Sequence, residues 1–192
     1  DRAATAWVVF ALLRRRTHVV GAVLGGLMVA FAAAFTVHSR FMTVDAVGTL
    51  FVALALYWAV RMFPESDAEG QWIPLSDTDL RKAAIAAGAF AGLAASTKYA
   101  GVLAWVAVAL AAGWWLLRRD EEGKPLRPAG QVLATTGLSL ALTVVVFLAG
   151  TPGAILEPAA FQRDFWYEVN HVATGHGLVF AGTAPAAIYH LI

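Results

Sequence analysis

Cysteine is absent from the 192 residues. That excludes disulfides, thiolate-bound zinc and a cysteine nucleophile. Charge is scarce: 14% of residues are Asp, Glu, Lys or Arg, against 59% hydrophobic, and the net charge is +1. No basic stripe is left once the Arg and Lys that flank apolar stretches are set aside, so nucleic acid is not an expected partner. Three catalytic signatures are also missing: a glycine-rich phosphate loop after a strand, a nucleophile elbow and a zinc-protease motif. The start lacks the basic region, apolar core and small-residue cleavage site of a signal peptide. The sequence opens on Asp1 and stops at Ile192 inside an apolar run, and it reads as an internal fragment of a larger polytopic protein.

What is present is a series of apolar runs, several near the roughly 20 residues that one membrane crossing requires. A soluble fold would have to bury nearly every helix on all sides, which a chain of this length cannot do. The expected fold is all-α, a polytopic transmembrane helical bundle forming a single domain over 1–192. The expected spans are 3–13, 18–37, 43–63, 83–97, 99–117 and 131–149. An outer loop, 150–184, is expected to carry an interfacial helix from Pro158 to about His171, and a further span to start at 185–192. The stretch from Ala83 to Leu117 is too long for one span and is broken by Ser96-Thr97-Lys98-Tyr99, so it reads as two helices joined by a turn near Lys98. Gly21-x-x-x-Gly25 and Gly88-x-x-x-Gly92 mark surfaces where helices can approach closely.

The cations give an orientation. With the loops after Leu13, Phe63 and Leu117 on the cytoplasmic side, that side holds Arg14, Arg15, Arg16, Arg61, Arg81, Lys82, Arg118, Arg119, Lys124 and Arg127. The other keeps Arg2, Arg40, Lys98 and Arg163. By the positive-inside rule, the polar motifs at the start of the third span, at Lys98 and after Gly150 then fall on the non-cytoplasmic face.

Polar groups at the ends of apolar segments are the candidate functional residues, because a charge deep in the bilayer costs roughly 2.5–3.5 kcal/mol on insertion scales. Asp45 falls in a first helical turn, where a carboxylate suits the free backbone donors, and Arg40 is close enough to pair with it or with an anionic head group. A plain helix cap with an interfacial Arg accounts for the same pattern. Lys98 can meet a phosphate as a point charge while Ser96, Thr97 and Tyr99 offer hydroxyls, or it can simply snorkel and anchor the turn. Asp164, Glu168 and His171 share one helical face and have the chemistry of a possible divalent-metal site; a solvated polar face is the commoner origin of such a pattern. His171 and His176, in His-Val-Ala-Thr-Gly-His, can approach a ligand from a glycine-flanked loop.

In this order and topology the segments resemble the polytopic GT-C type glycosyltransferases that use lipid-phosphate sugars. The likeness is greatest to the family-39 branch of protein O-mannosyltransferases and aminoarabinose transferases. His38 to Asp45 looks like that family's Arg-and-Asp entry to a span, and Gly92 to Gly101 resembles its glycine-rich helix ending in a Thr-Lys element. Thr151 to Pro158, Phe161 and His171 to His176 are similar to the outer loop of its bacterial and archaeal members.

The resemblance implies transfer of a sugar from a polyprenyl-phosphate donor to a hydroxyl of a protein or lipid acceptor, on the non-cytoplasmic face of a membrane, most simply a prokaryotic plasma membrane. It implies donor-phosphate contacts from Lys98 and Arg40, positioning by Asp45, and His171 and His176 at the mouth; Tyr99, through its hydroxyl beside Lys98, is a further substrate-binding candidate. It also places the general base in an acidic outer loop that precedes Asp1. Two other classes stand beside it. A transporter or flippase would need a second broken helix in the matching half. A noncatalytic membrane scaffold would use the GxxxG surfaces with no ligand.

Overall fold

The structure is a computed structural model that describes residues 2–32, 44–66, 72–73, 75–120 and 122–174, the side chains of Ser66, Trp72 and residues 171–174 excepted. It divides into two compact units, Asp1–Gly150 and Thr151–Ile192. Among its described residues the first unit is helical apart from one short ladder and an isolated bridge between Arg119 and Pro125. Its helices are α1 (Arg2–Arg14), α2 (Val19–Phe31), α3 (Val44–Val60), α4 (Asp77–Thr97), α5 (Val106–Leu117) and α6 (Ala129–Gly150). A 3-10 helix, Tyr99–Trp105, leads into α5.

Among the described residues two stretches are long and apolar enough to cross a membrane: Tyr99–Leu117, of 19 residues, and Ala129–Gly150, of 22. Many of their large side chains point outward, Leu110 being 66% exposed and Val145 60%. An apolar exterior of this kind matches lipid as the surrounding solvent. The apolar helices α2 and α3 are shorter, at 13 and 17 residues. Part of the two spans expected there lies at 33–43, outside the described residues.

Lipid tails provide no hydrophobic drive between helices, so packing rests on small residues that let backbones meet. Along α4, Ala84, Ala87 and Ala91 are fully buried. A Cβ on Gly88 would overlap the Ser139 carbonyl, and one on Gly92 would lie 2.6 Å from the Thr143 carbonyl oxygen. Residues four apart on α4 therefore meet residues four apart on α6 in the same order, so the two helices run parallel. Thr143 Oγ1 lies 3.0 Å from the carbonyl oxygens of both Gly88 and Ser139, so its proton bridges to α4 or back into α6. One turn further on, Ser96 Oγ sits 3.0 Å from the Gly92 carbonyl and 3.4 Å from that of Phe147. In the α1–α2 hairpin the close approach is made by Gly25 and Gly26. A Cβ on Gly26 would meet Phe10 at 3.2 Å and the Ala6 carbonyl at 3.3 Å, whereas Gly21 meets only Thr17 beside the turn.

The long apolar stretch does break at Lys98. Helix α4 ends at Thr97, and Lys98 is extended, with φ −154° and ψ 125°. The following 3-10 turn presses against the end of α4 so tightly that a Cβ on Gly101 would lie 2.5 Å from the Ala94 carbonyl. Helix α4 also begins earlier than its apolar pattern, at Asp77. Ser76 caps it, its Oγ accepting from the Asp79 N–H at 3.1 Å, and Asp77 and Asp79 sit in the positive first turn.

Cations hold the opposite end together. Arg16 donates to the Val60 carbonyl at 2.9 Å and the Pro64 carbonyl at 3.2 Å, closing the C-terminus of α3. Burial draws its guanidinium below the ordinary arginine value, though the group stays charged. Arg15 pairs with Glu65 at 2.6 Å. Arg127 pairs with Asp77, donates to the Leu75 carbonyl and lies 4.6 Å over the Trp115 ring. The Trp115 indole in turn donates to the Met62 carbonyl at 2.7 Å. The polar loop between α3 and α4 carries an antiparallel ladder that its composition did not indicate, β1 (Glu65–Ser66) against β2 (Trp72–Ile73).

The second unit contains α7 (Gly153–Leu156) and α8 (Pro158–Thr174). Proline suits the first position of α8, where no intrahelical donor is needed. Phe161 stacks on Phe165 at 6.3 Å, and Trp166 meets Phe165 edge-on. Trp166 and Tyr167 are exposed. The glycine-containing loop and the further span expected after it lie outside the described residues.

Candidate functional site

At the end of the first unit away from the arginines, the start of α3 meets the end of α4 around a cavity of about 310 Å³. Asp45, Gly48 and Thr49 wall it from α3, and Thr97, Lys98 and Gly101 from the α4 end. The α3 positions fall three and four residues after Asp45, so one helical face presents them together. Gly48 allows this approach, since a Cβ there would lie 2.8 Å from Thr97 Oγ1.

Lys98 Nζ donates to Asp45 Oδ1 at 3.0 Å, with the two side chains 59% and 37% exposed. Each charge sits at the helix end that favours it, a carboxylate at the N-terminus of α3 and an ammonium at the C-terminus of α4. Both threonine hydroxyls donate to their own helices, Thr49 to the Asp45 carbonyl and Thr97 to the Ala94 carbonyl, each at 2.7 Å. Their lone pairs, but not their protons, are left for a ligand. Lys98 is thus the strong donor in the wall.

The other sequence candidates are placed differently. Ser96 faces α6 rather than the cavity. Tyr99 is half-buried and is not part of the cavity wall. Arg40 and His176 lie outside the described residues, as does the side chain of His171. Asp164 accepts from Arg163 Nε at 3.2 Å. Among the described residues no three His, Asp or Glu side chains gather as a metal site would require. Gly48 and Thr49 are wall residues that sequence reasoning passed over, although their spacing from Asp45 was a usable signal.

Residues 3–155 match the family described as dolichyl-phosphate-mannose-protein mannosyltransferase. The chain belongs to that family. The match takes in both walls of the Lys98–Asp45 cavity and stops before α8, so His171 and His176 lie beyond it. Protein mannosyltransferases are membrane glycosyltransferases that draw on a dolichyl-phosphate sugar, and the two apolar helices long enough to cross a membrane agree with that setting. The comparisons with curated proteins and with solved structures give no match.

Proposed function

We propose that the chain is part of a glycosyltransferase that moves a sugar from a polyprenyl-phosphate donor to a hydroxyl of a protein or lipid acceptor, on the non-cytoplasmic face of a prokaryotic plasma membrane. The observation that carries this reading is a lysine paired with an aspartate in an open cavity at a helix end, inside the stretch that matches the family. The family membership favours it over transport or scaffolding. A bundle spanning the membrane repeatedly, with α8 lying on the outer surface, goes with it.

In this reading the lipid tail stays in the bilayer and the donor phosphate enters the cavity. The acceptor oxygen bonds to the anomeric carbon as the bond from that carbon to the phosphate oxygen breaks, with inversion. The acceptor proton passes to a carboxylate, proposed to lie in an outer loop preceding Asp1. The departing phosphate gains charge, and Lys98 stabilises it, with Arg40 as a second cation. Asp45 holds Lys98 in place until the donor arrives. An exposed ion pair of this kind contributes only about 0–1 kcal/mol, so a phosphate can replace the carboxylate at little cost. His171 and His176 are proposed as further substrate-binding residues. The deciding experiment is Lys98→Ala in the full-length protein, assayed with polyprenyl-phosphate mannose. Loss of transfer with membrane insertion intact is expected, and unchanged turnover removes Lys98 from the site.

A further inference from the structure

A second cavity, of about 380 Å³, opens at the cationic end of the first unit. Trp114, Trp115, Arg118, Arg119, Asp120 and Arg127 stand in its wall. Arg127 belongs to the fold: only 8% of its side chain is exposed, and it is paired with Asp77. Its buried Nε nevertheless has no acceptor among the described residues. Asp120 is turned to its own loop, Oδ1 accepting from the N–H groups of Glu122 and Lys124, and Glu122 is paired with Lys124.

The other two arginines are differently placed. Arg119 donates to the carbonyls of Leu116 and Arg118, and Arg118 lies 5.5 Å over the Trp114 ring. Among the described residues neither guanidinium pairs with a carboxylate. Beside them Leu117 is 81% exposed, at the end of a helix long enough to cross a membrane. A tryptophan pair, two cations that pair with no carboxylate among the described residues, and an exposed apolar flank together match the boundary where head groups meet acyl chains.

We infer that this cavity binds the phosphate of an anionic phospholipid. Arg118 and Arg119 hold the phosphodiester, Trp114 packs on the glycerol region, and the acyl chains follow the apolar surface beyond Leu117. The site is separate from the Lys98 cavity and does not rest on the donor reading.

The test uses the full-length protein in detergent, offered equal amounts of phosphatidylglycerol and phosphatidylcholine, with retained lipid counted by native mass spectrometry. Phosphatidylglycerol is expected to be preferred by roughly fivefold per cation engaged. The preference should fall in R118Q and vanish in R118Q/R119Q, while R81Q, an exposed cation outside this cavity, keeps it. R118Q removes no side-chain hydrogen bond among the described residues but does remove the contact with the Trp114 ring, so an unfolding temperature matching that of the unaltered protein is what separates lost lipid preference from a folding defect. Equal retention of the two lipids by the unaltered protein, or a preference that survives in R118Q/R119Q, overturns the assignment. Millimolar inorganic phosphate should leave the phosphatidylglycerol in place, and displacement by phosphate would assign the cavity to a free anion instead.

Discussion

Lys98 and Asp45, 53 residues apart in sequence, meet at 3.0 Å and tie the end of α4 to the start of α3. The same contact places an ammonium in the wall of the cavity that the two helices enclose. A role in holding the fold and the proposed role in receiving a phosphate make different predictions.

If the pair matters mainly for the ligand, removing its acid should hardly affect stability. Asp45→Asn is expected to change the unfolding free energy by no more than about 1 kcal/mol, the range for exposed pairs. Thermal unfolding in detergent measures this, and a larger loss would make the pair structural.

Lys98→Ala is expected to lower transfer by about a hundredfold or more, the scale on which removing one preorganised charge-stabilising donor acts. Lys98→Arg should retain more activity than Lys98→Ala because it keeps the charge. Initial rates with a lipid-phosphate sugar, alongside a check of membrane insertion, decide it.

Gly92→Val should disrupt the α4–α6 contact, since even a Cβ would lie 2.6 Å from the Thr143 carbonyl oxygen. Overpacking of this sort costs typically about 1–3 kcal/mol. Thr143→Val, which removes the bridging hydroxyl, should cost less, about 0.6 kcal/mol as for typical hydrogen bonds between membrane helices. Detergent unfolding of the two variants side by side tests the ranking.

Gly48→Ala probes the cavity itself. The added methyl would meet Thr97 Oγ1 at 2.8 Å and narrow the wall opposite Lys98. A raised KM for the lipid-phosphate donor is the expected result, together with a lowered unfolding temperature, because Thr97 Oγ1, held to the Ala94 carbonyl, must shift to make room.

Asp77 supplies a pH dependence. A hydrogen bond from Gln131, then one from Arg127, holds its carboxyl below the ordinary value of 3.8. A carboxyl lowered in the folded state contributes stability above its unfolded value and loses it as pH falls through the folded one. The stability difference between the unaltered protein and Asp77→Asn should therefore be full near neutral pH and shrink below about pH 3.8. A constant difference across that range would assign the effect to packing.

Parts of this arrangement could be read residue by residue. The break at Lys98 shows because four polar residues interrupt a long apolar stretch, and α8 shows because a proline opens an amphipathic segment. Gly88 and Gly92 announce a close contact by their spacing, but not that α6 fills it, and Gly21 marked a neighbour of the turn rather than the interface itself. The early start of α4 depends on a serine cap in a segment too polar to register as a span.

The sequence by itself determined that the chain is apolar and helical, that its cations gather at one end, and that a lysine stands where a helix breaks. These follow from composition and from a period of 3.6 residues, which are local properties. Only the tertiary structure decided which groups face one another: Lys98 with Asp45, Arg127 with Asp77, and α4 alongside α6 in parallel. Such partners lie 50 or more residues apart. Local periodicity says which face of a helix is small or polar, while the choice of neighbour is made by backbone fit across the whole bundle.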